Sequence, residues 1–298
     1  MYEPTGITLG EGAFSKVIEV VKDGIFYAKK QFNENIEENN KQYELHMMEM
    51  TKKCKYIINL VDVEENGDLI ITKMDGNLLD LINSYKYVRK CVPELVLMDM
   101  TRHVLLGLSF LSKHKIVHCD LKPENILYKR TSNTESGYQF VVSDLGNALF
   151  VSNTNTMQIQ TLEYRCMENL LGSTHLDTCC DIMSLGCILF ECVVGYYIVY
   201  ATDEEKYKHV MNLLDAVGKK ILKKCDTSEL PEICEYLDDV VTEDGIATLL
   251  PYYYNRNGYV YGTELTRLIL SMLIPFPTQR INLEDALDHS WLDHEVKV

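Results

Sequence analysis

The sequence predicts an α+β chain, read as one domain of two lobes over residues 1–298. The first is a small β-rich lobe with one main helix, over about residues 1–74, and the second a larger, mainly helical lobe, over about residues 75–298. Three observations predict it. Short runs rich in β-branched and aromatic residues dominate the opening third. A single helical pattern interrupts those runs. After about Met74 the texture changes to long helical patterns separated by polar loops.

The elements follow in order. "ITLGEGAF", "KVIEVV" and "IFYAKKQF" read as strands, with Asp23–Gly24 where a hairpin turn belongs. "NENIEENNKQYELHMMEMTKK" reads as a helix with Ile36, Tyr43, Met47, Met48 and Met50 as an approximate apolar stripe. "YIINLVDV" and "DLIITKM" are two strands around the turn Glu65–Asp68, and the junction of the lobes is expected near Thr72–Asp75. "VPELVLMDMTRHVLLGLSFLSKHK" is a long helical pattern in which Pro93 suits the first turn. "NILYK" and "YQFVVSD" are short strands on either side of the polar loop Arg130–Gly137. "CCDIMSLGCILFECVVG" would make a buried helix.

Bulk composition narrows the function classes. The chain is 46% hydrophobic, enough for a sizeable core. No apolar run is expected to reach the ~20 residues of a membrane helix, and the start, "MYEPTGITLGEG", lacks the basic and apolar regions of a secretory signal. Ten cysteines without zinc-finger spacing read as reduced thiols, with Cys179 and Cys180 in the core. Lys and Arg total 29 against 44 Asp and Glu, a formal net charge of −15. That balance disfavours nucleic acid and anionic membranes as direct partners and suits a basic protein substrate, although solubility alone also accounts for it. The chain is expected to be an intracellular monomer, in cytoplasm, nucleus or both.

Chemistry concentrates in four places. In "LGEGAFSKV", Gly10 and Gly12 sit at a strand-turn-strand, where a backbone without Cβ can approach phosphate oxygens. A tight hairpin uses the same residues, and Ser15 stands where such loops often carry a third glycine. A strand follows and not a helix, which argues against a dinucleotide site. Lys30, ending "YAKK", can pair with nucleotide phosphates, with Glu44 as its helix acid and Glu49 as the alternative. In "IVHCDLKPENIL", Asp120 can accept a hydroxyl proton, Lys122 can steady a phosphate in flight and Asn125 can hold a metal. In "VVSDLGNA", Asp144 follows a strand and can chelate Mg²⁺ that bridges phosphates.

In this order the motifs resemble those of a eukaryotic protein kinase: "GEGAFSKV", "AKK", "HCDLKPEN" and "DLG", with "CME" (Cys166–Glu168) where the family has APE, and Arg280 in "PTQRI". The resemblance covers about Ile7 to Leu292. "SDLGNA", "IQTLEYRCMENLLG", "DEEKYKHVMNLLDAVGKKI" and "ALDHSWL" are similar to the SR-protein kinases of the CMGC group. Kinases with a LAMMER-type signature and dual-specificity tyrosine-regulated kinases are near neighbours. The family's long spacer between the lobes is missing here.

The resemblance implies a bilobal kinase fold and transfer of the ATP γ-phosphate to serine or threonine in Arg-Ser-rich proteins. It implies that Leu9, Gly10, Glu11, Gly12, Ala13, Phe14 and Ser15 cover the nucleotide. Lys30 would hold its α/β-phosphates and Glu44 would hold Lys30. Asn125 and Asp144 would hold Mg²⁺, and Asp120 and Lys122 would serve the transfer. Val17, Ala28 and Leu127 would sandwich the adenine, with Ile71 as gatekeeper and Thr72–Met74 as hinge. His118 is expected to pack the loop and Glu168 to pair with Arg280. Arg165 is expected beside the residue that follows the target. Many kinases carry arginine where Cys119 stands, and it clamps a phosphate on the activation segment. The thiol cannot, so activity is expected to need no phosphate there, although Asn147–Thr161 contains Ser152, Thr154, Thr156 and Thr161. Acids that could dock an Arg-rich peptide are Asp203, Glu204, Glu205, Glu229, Glu232 and Glu235, the first three also suiting a helix start. Other readings are a CMGC kinase of different specificity, such as proline-directed, and a pseudokinase scaffold. The presence of Lys30, Asp120 and Asp144 counts against the scaffold.

Overall fold

Asp23 and Gly24 both adopt positive φ, 52° and 77°. This is the mirror-image turn that matches the twist of two antiparallel strands. It joins β2 (Ser15–Lys22) to β3 (Ile25–Phe32). β1 (Glu3–Glu11) pairs with β2, starting four residues earlier than the sequence suggests because Glu3 and Pro4 already face Val21 and Val20. α1 (Glu38–Thr51) follows, then β4 (Leu60–Val63) and β5 (Leu69–Thr72), completing an antiparallel sheet in the order β1-β2-β3-β5-β4. The computed structural model describes residues 1–12, 14–151, 159–173, 176–200, 202, 205–260 and 262–293.

α1 is shorter than the expected run from Asn33. Asn33–Glu37 forms a turn closed by Ile36 N–H on Asn33 O, so Ile36 is not part of the helical stripe, while Met47 and Met48 are buried. β4 is also shorter than expected. Tyr56–Asn59 leaves the small sheet and bonds to the large lobe, with Ile58 N–H on Val142 O at 2.8 Å and Val142 N–H on Tyr56 O at 2.9 Å.

β6 (Gly76–Asn77) leads into α2 (Leu78–Tyr87), capped reciprocally by Asn77 and Asp80. α3 (Glu94–Lys113) runs through the core with Leu97, Met100, Val104, Leu105 and Leu108 fully buried. This corrects one expectation: α3 is long and apolar enough to cross a membrane by length and composition. Its apolar residues are needed to fill the interior of the large lobe. β7 (Ile116–Val117), β8 (Ile126–Arg130), β9 (Tyr138–Val142) and β10 (Leu149–Phe150) form two small sheets, β6-β8-β9 and β10-β7.

α4 (Met167–Leu170) precedes α5 (Thr178–Val194), whose residues from Cys180 onward are all buried. Asp177 caps α5 by accepting Cys179 N–H at 2.7 Å. The rest is α6 (Lys206–Val217), α7 (Lys219–Leu222), α8 (Cys234–Leu237), α9 (Leu250–Asn257), α10 (Gly262–Met272), α11 (Leu283–Leu287) and α12 (Ser290–Asp293). A Cβ on Gly186 would stand 2.9 Å from Met272 Cβ, so this glycine lets α5 and α10 pack closely. Arg280 forms a bidentate pair with Glu168, at 2.9 and 2.8 Å, and both are buried.

Candidate active site

The register of β3 sets Val17 and Leu69 on either side of Lys30, and Ala28 beside Ile71. Lys30 Nζ lies 2.5 Å from Glu44 Oε1 and 2.8 Å from Asp144 Oδ1. Glu44 is buried and Glu49 exposed, so Glu44 is the acid that α1 offers. A Cβ on Gly146 would come within 3.2 Å of Glu44 Oε2, so glycine here lets the Asp144 loop approach α1. Burial alone would drive the Lys30 proton off, but Glu44 and Asp144 hold it above the usual lysine range. Burial likewise acts to raise the Asp144 carboxyl, and the Lys30 charge outweighs it and holds the group below its ordinary value. Glu44 is pushed up, first by burial and then, against the pull of Lys30, by the charge of Asp144. Lys30 is thus held charged between two acids, Glu44 from α1 and Asp144 from the loop after β9.

The loop from His118 to Asn125 is held from below. Asp181, in the first turn of α5, accepts His118 N–H at 2.8 Å and Cys119 N–H at 3.0 Å. These bonds hold Cys119 at φ 62°, a left-handed conformation that costs about 1–3 kcal/mol outside glycine. Asp144 has the same feature, with φ 61°. His118 Nδ1 accepts Asp120 N–H at 3.2 Å, and Nε2 lies 2.9 Å from Ser143 O. Its ring is used up in positioning the loop. The Cys119 thiol is fully buried beside Cys180.

Asp120 is the hub. Its Oδ1 accepts the Thr161 hydroxyl at 2.7 Å and Thr161 N–H at 3.2 Å. Its Oδ2 lies 3.1 Å from Lys122 Nζ and 3.4 Å from Asn147 Nδ2. Lys122 also donates to Thr161 Oγ1 at 3.2 Å. Thr161 and Asn147 were missed as site residues, and no local pattern marks them. The sequence offers Thr161 only as one of four hydroxyl residues in Asn147–Thr161, and in the structure its hydroxyl is engaged by Asp120. Ser152, Thr154 and Thr156 lie outside the described residues, as does Ala13.

Asn125 donates Nδ2 to the Asp120 carbonyl at 2.8 Å. Its Oδ1 has no hydrogen-bond partner among the described residues, and neither has Asp144 Oδ2. Two hard oxygen donors suit Mg²⁺, which keeps waters and phosphate oxygens as its other ligands. Among the described residues no three His, Cys, Asp or Glu side chains converge to hold an ion by themselves.

Leu9, Gly10 and Glu11 end β1 exposed, and Gly12 N–H closes the turn on Ser15 O at 2.9 Å. A Cβ on Gly10 would meet nothing within 4 Å, so the fold itself does not require glycine there. Phe14 is exposed. Ala28 and Ile71 are buried in the apolar cluster against which Val17, Met74 and Leu127 pack. Thr72 N–H donates to Asn59 O, and Asp75 N–H to Tyr128 O, fixing both ends of the link between the lobes.

Beside Asp120, Gln160 adopts φ 72° and its carbonyl accepts Arg165 Nη2 at 2.9 Å. Tyr164 donates its hydroxyl to Glu191 Oε2 at 2.7 Å. Burial pushes the Glu191 carboxyl up to about 7, with Tyr164 opposing and the nearby charges of Glu124 and Glu163 adding to the rise. These three acids gather around Tyr164 and Tyr197, whose rings meet edge to face at 6.1 Å. The acids expected from the sequence lie elsewhere, with Glu232 and Glu235 exposed. Asp203 and Glu204 lie outside the described residues, Glu205 bonds Thr202, and Glu229 is engaged with Thr278.

Comparison with known proteins places this geometry. The family model described as "Protein kinase domain" matches residues 5–292. A probable serine/threonine-protein kinase dyrk2 from Dictyostelium discoideum is 36% identical over 204 residues, covering 63% of this chain and 20% of that protein. A serine/threonine-protein kinase SRPK from Physarum polycephalum is 25% identical over 286 residues, 75% of this chain and 66% of that protein. The chain thus spans a fifth of the first relative's length and about two thirds of the second's. Among solved structures, a chain of the CAK complex from Chaetomium thermophilum bound to ATP-γ-S superposes with a TM-score of 0.78, at 19% identity, over 99% of this chain and 92% of that one.

Proposed function

The chain belongs to the protein kinase domain family, phosphotransferases of serine/threonine and CMGC type, and from that premise we propose that it phosphorylates hydroxyls in basic, Arg-Ser-type protein segments. What supports the substrate class is the gathering of Glu124, Glu163 and the buried Glu191 around Tyr164 and Tyr197. A guanidinium bound there would meet a carboxylate already oriented by a 2.7 Å bond from Tyr164.

In this reading Lys30, steadied by Glu44, binds the α/β-phosphates of ATP. The turn Leu9–Ser15 covers them with Gly10 and Gly12 at closest approach. Asn125 and Asp144 are the residues that would hold Mg²⁺, which supplies neutralisation of phosphate charge when bound. Asp120 orients the substrate hydroxyl and takes its proton, and Lys122 bonds the phosphate being transferred.

A second specificity has its own observation. The Gln160 carbonyl is turned onto Arg165, so no acceptor is held out for the N–H of the residue after the target. A proline there would lose nothing. Labelled phosphate transfer from Mg-ATP to an Arg-Ser repeat peptide and to a matched Ser-Pro peptide separates the two. Preferential transfer to Arg-Ser is expected, and preference for Ser-Pro would remove the basic-substrate assignment.

Glu191 adds a pH signature. Binding a guanidinium favours the ionised carboxylate, so affinity should rise with pH through about 7. Between pH 6 and 8 the ionised fraction of such a group changes roughly tenfold. The ratio of kcat/KM for the Arg peptide to that for an Ala-substituted peptide should rise by up to that factor. In Glu191→Gln the ratio should be flat. A wild-type ratio independent of pH would place Glu191 outside substrate recognition.

A further inference from the structure

A cleft of about 340 Å³ opens against the link between the lobes, with Thr72 and Met74 in its lining and neither Lys30 nor Asp144 among its residues. Its floor includes Ile57 and Met74, and around it stand Lys52, Lys53, Lys55 and Lys129. All four lysines are exposed. None has a carboxylate within 4 Å among the described residues, whereas Lys29, Lys73 and Lys220 are each paired. In a chain of net charge −15 this concentration of unneutralised positive charge runs against the overall balance. Lys52 and Lys53 directly follow the C-terminus of α1 and serve its dipole there. That account does not extend to Lys55, in the following turn, or to Lys129, which comes from β8 in the other lobe.

The walls are fixed. Gln139 Nε2 donates to Lys55 O, Val142 N–H to Tyr56 O and Thr72 N–H to Asn59 O. The cleft therefore exists before anything enters it, and ordering an occupant needs no rearrangement of this backbone. Four like charges around one cleft repel each other, and an anionic occupant relieves that repulsion while gaining four attractive partners.

We propose that this cleft docks an acidic peptide segment of a partner protein, with carboxylates toward the four lysines and apolar side chains on Ile57 and Met74. The apolar floor favours such a segment over a uniformly charged polyanion, and the net charge of the whole chain opposes long-range approach of nucleic acid or an anionic membrane. The cleft adjoins the expected nucleotide hinge through Thr72 and Met74, while its four lysines lie outside the residues assigned to phosphotransfer.

The test selects a random 16-residue phage-displayed peptide library on the full chain without nucleotide. A variant carrying Lys52→Gln, Lys53→Gln, Lys55→Gln and Lys129→Gln serves as the counter-target, its fold checked by circular dichroism. Peptides rich in Asp and Glu around an apolar residue are expected, and their synthetic versions should bind the variant at least tenfold more weakly by fluorescence anisotropy. Should the fourfold variant not fold, the pairs Lys52→Gln/Lys53→Gln and Lys55→Gln/Lys129→Gln are each expected to weaken binding about threefold. The proposal is overturned by a selection without acidic enrichment, or by acidic peptides that bind wild type and variants alike. It is equally overturned if a 20-nucleotide single-stranded DNA or phosphatidylserine vesicles bind in a lysine-dependent way while the peptides do not.

Discussion

Asp120→Asn should lower the rate constant for phosphate transfer by about 10²- to 10⁴-fold, the usual worth of a positioned general base. Asparagine is the informative choice because it keeps an oxygen for the Thr161 hydroxyl, which Asp120 now accepts at 2.7 Å. Alanine would in addition strand Lys122, Asn147 and Thr161, mixing loss of chemistry with loss of structure. Nucleotide affinity should be nearly unchanged, because Asp120 does not touch Lys30. The measurement is a single-turnover rate with labelled ATP beside a thermal melt. A variant retaining more than about a tenth of the wild-type rate would show that Asp120 orients and does not accept the proton.

Arg280→Met should destabilise the protein by about 3–5 kcal/mol, the range for breaking a buried ion pair from one side. Arg280 is almost completely enclosed, and it also donates to the carbonyls of Ile274, Pro275 and Cys179. Removing it leaves Glu168 buried without its bidentate partner and three carbonyls short of a donor. A double variant, Glu168→Leu with Arg280→Met, should recover only part of the loss, since the carbonyls stay unmet. Urea unfolding of the wild type and both variants reads this directly. A single variant within 1 kcal/mol of wild type would mean that water reaches Glu168 and replaces the guanidinium.

The parts of the site that lie within one short stretch were legible in the sequence. Asp120, Lys122 and Asn125 share a loop, and their order alone implies their convergence. Lys30 and Glu44 were legible at one remove, because a strand and the helix after it must pack together. Thr161 and Asn147 were not, nor was the approach of Glu124 and Glu191 to Tyr164, since long chain separations lie between these residues and their partners. α2 is a different case. Its reciprocal Asn77–Asp80 cap and its apolar residues Leu78, Leu81 and Ile82 were all present, in a run too short to stand out by periodicity. The extra residues assigned to α1 came from Ile36, which matched the stripe by chance in a turn.

The bonds from Tyr56 and Ile58 to Val142 pin one end of α1 to the large lobe. Among the described residues, a swing of the other end has only one side-chain bond from α1 to that lobe's backbone to give up, the Tyr43 hydroxyl on Ala148 O at 2.9 Å. The helix spans 14 residues, and its far end at Glu38 has no side-chain cap. Glu44 lies seven residues from Thr51, near the midpoint, about 10 Å from the pinned end at 1.5 Å per residue. A rotation about that fulcrum moves Glu44 about half as far as it moves Glu38. Displacing the free end by about 4 Å would carry Glu44 about 2 Å, enough to open its 2.5 Å contact with Lys30. A small push at the surface of the small lobe is therefore geared to one of the two carboxylates that contact Lys30.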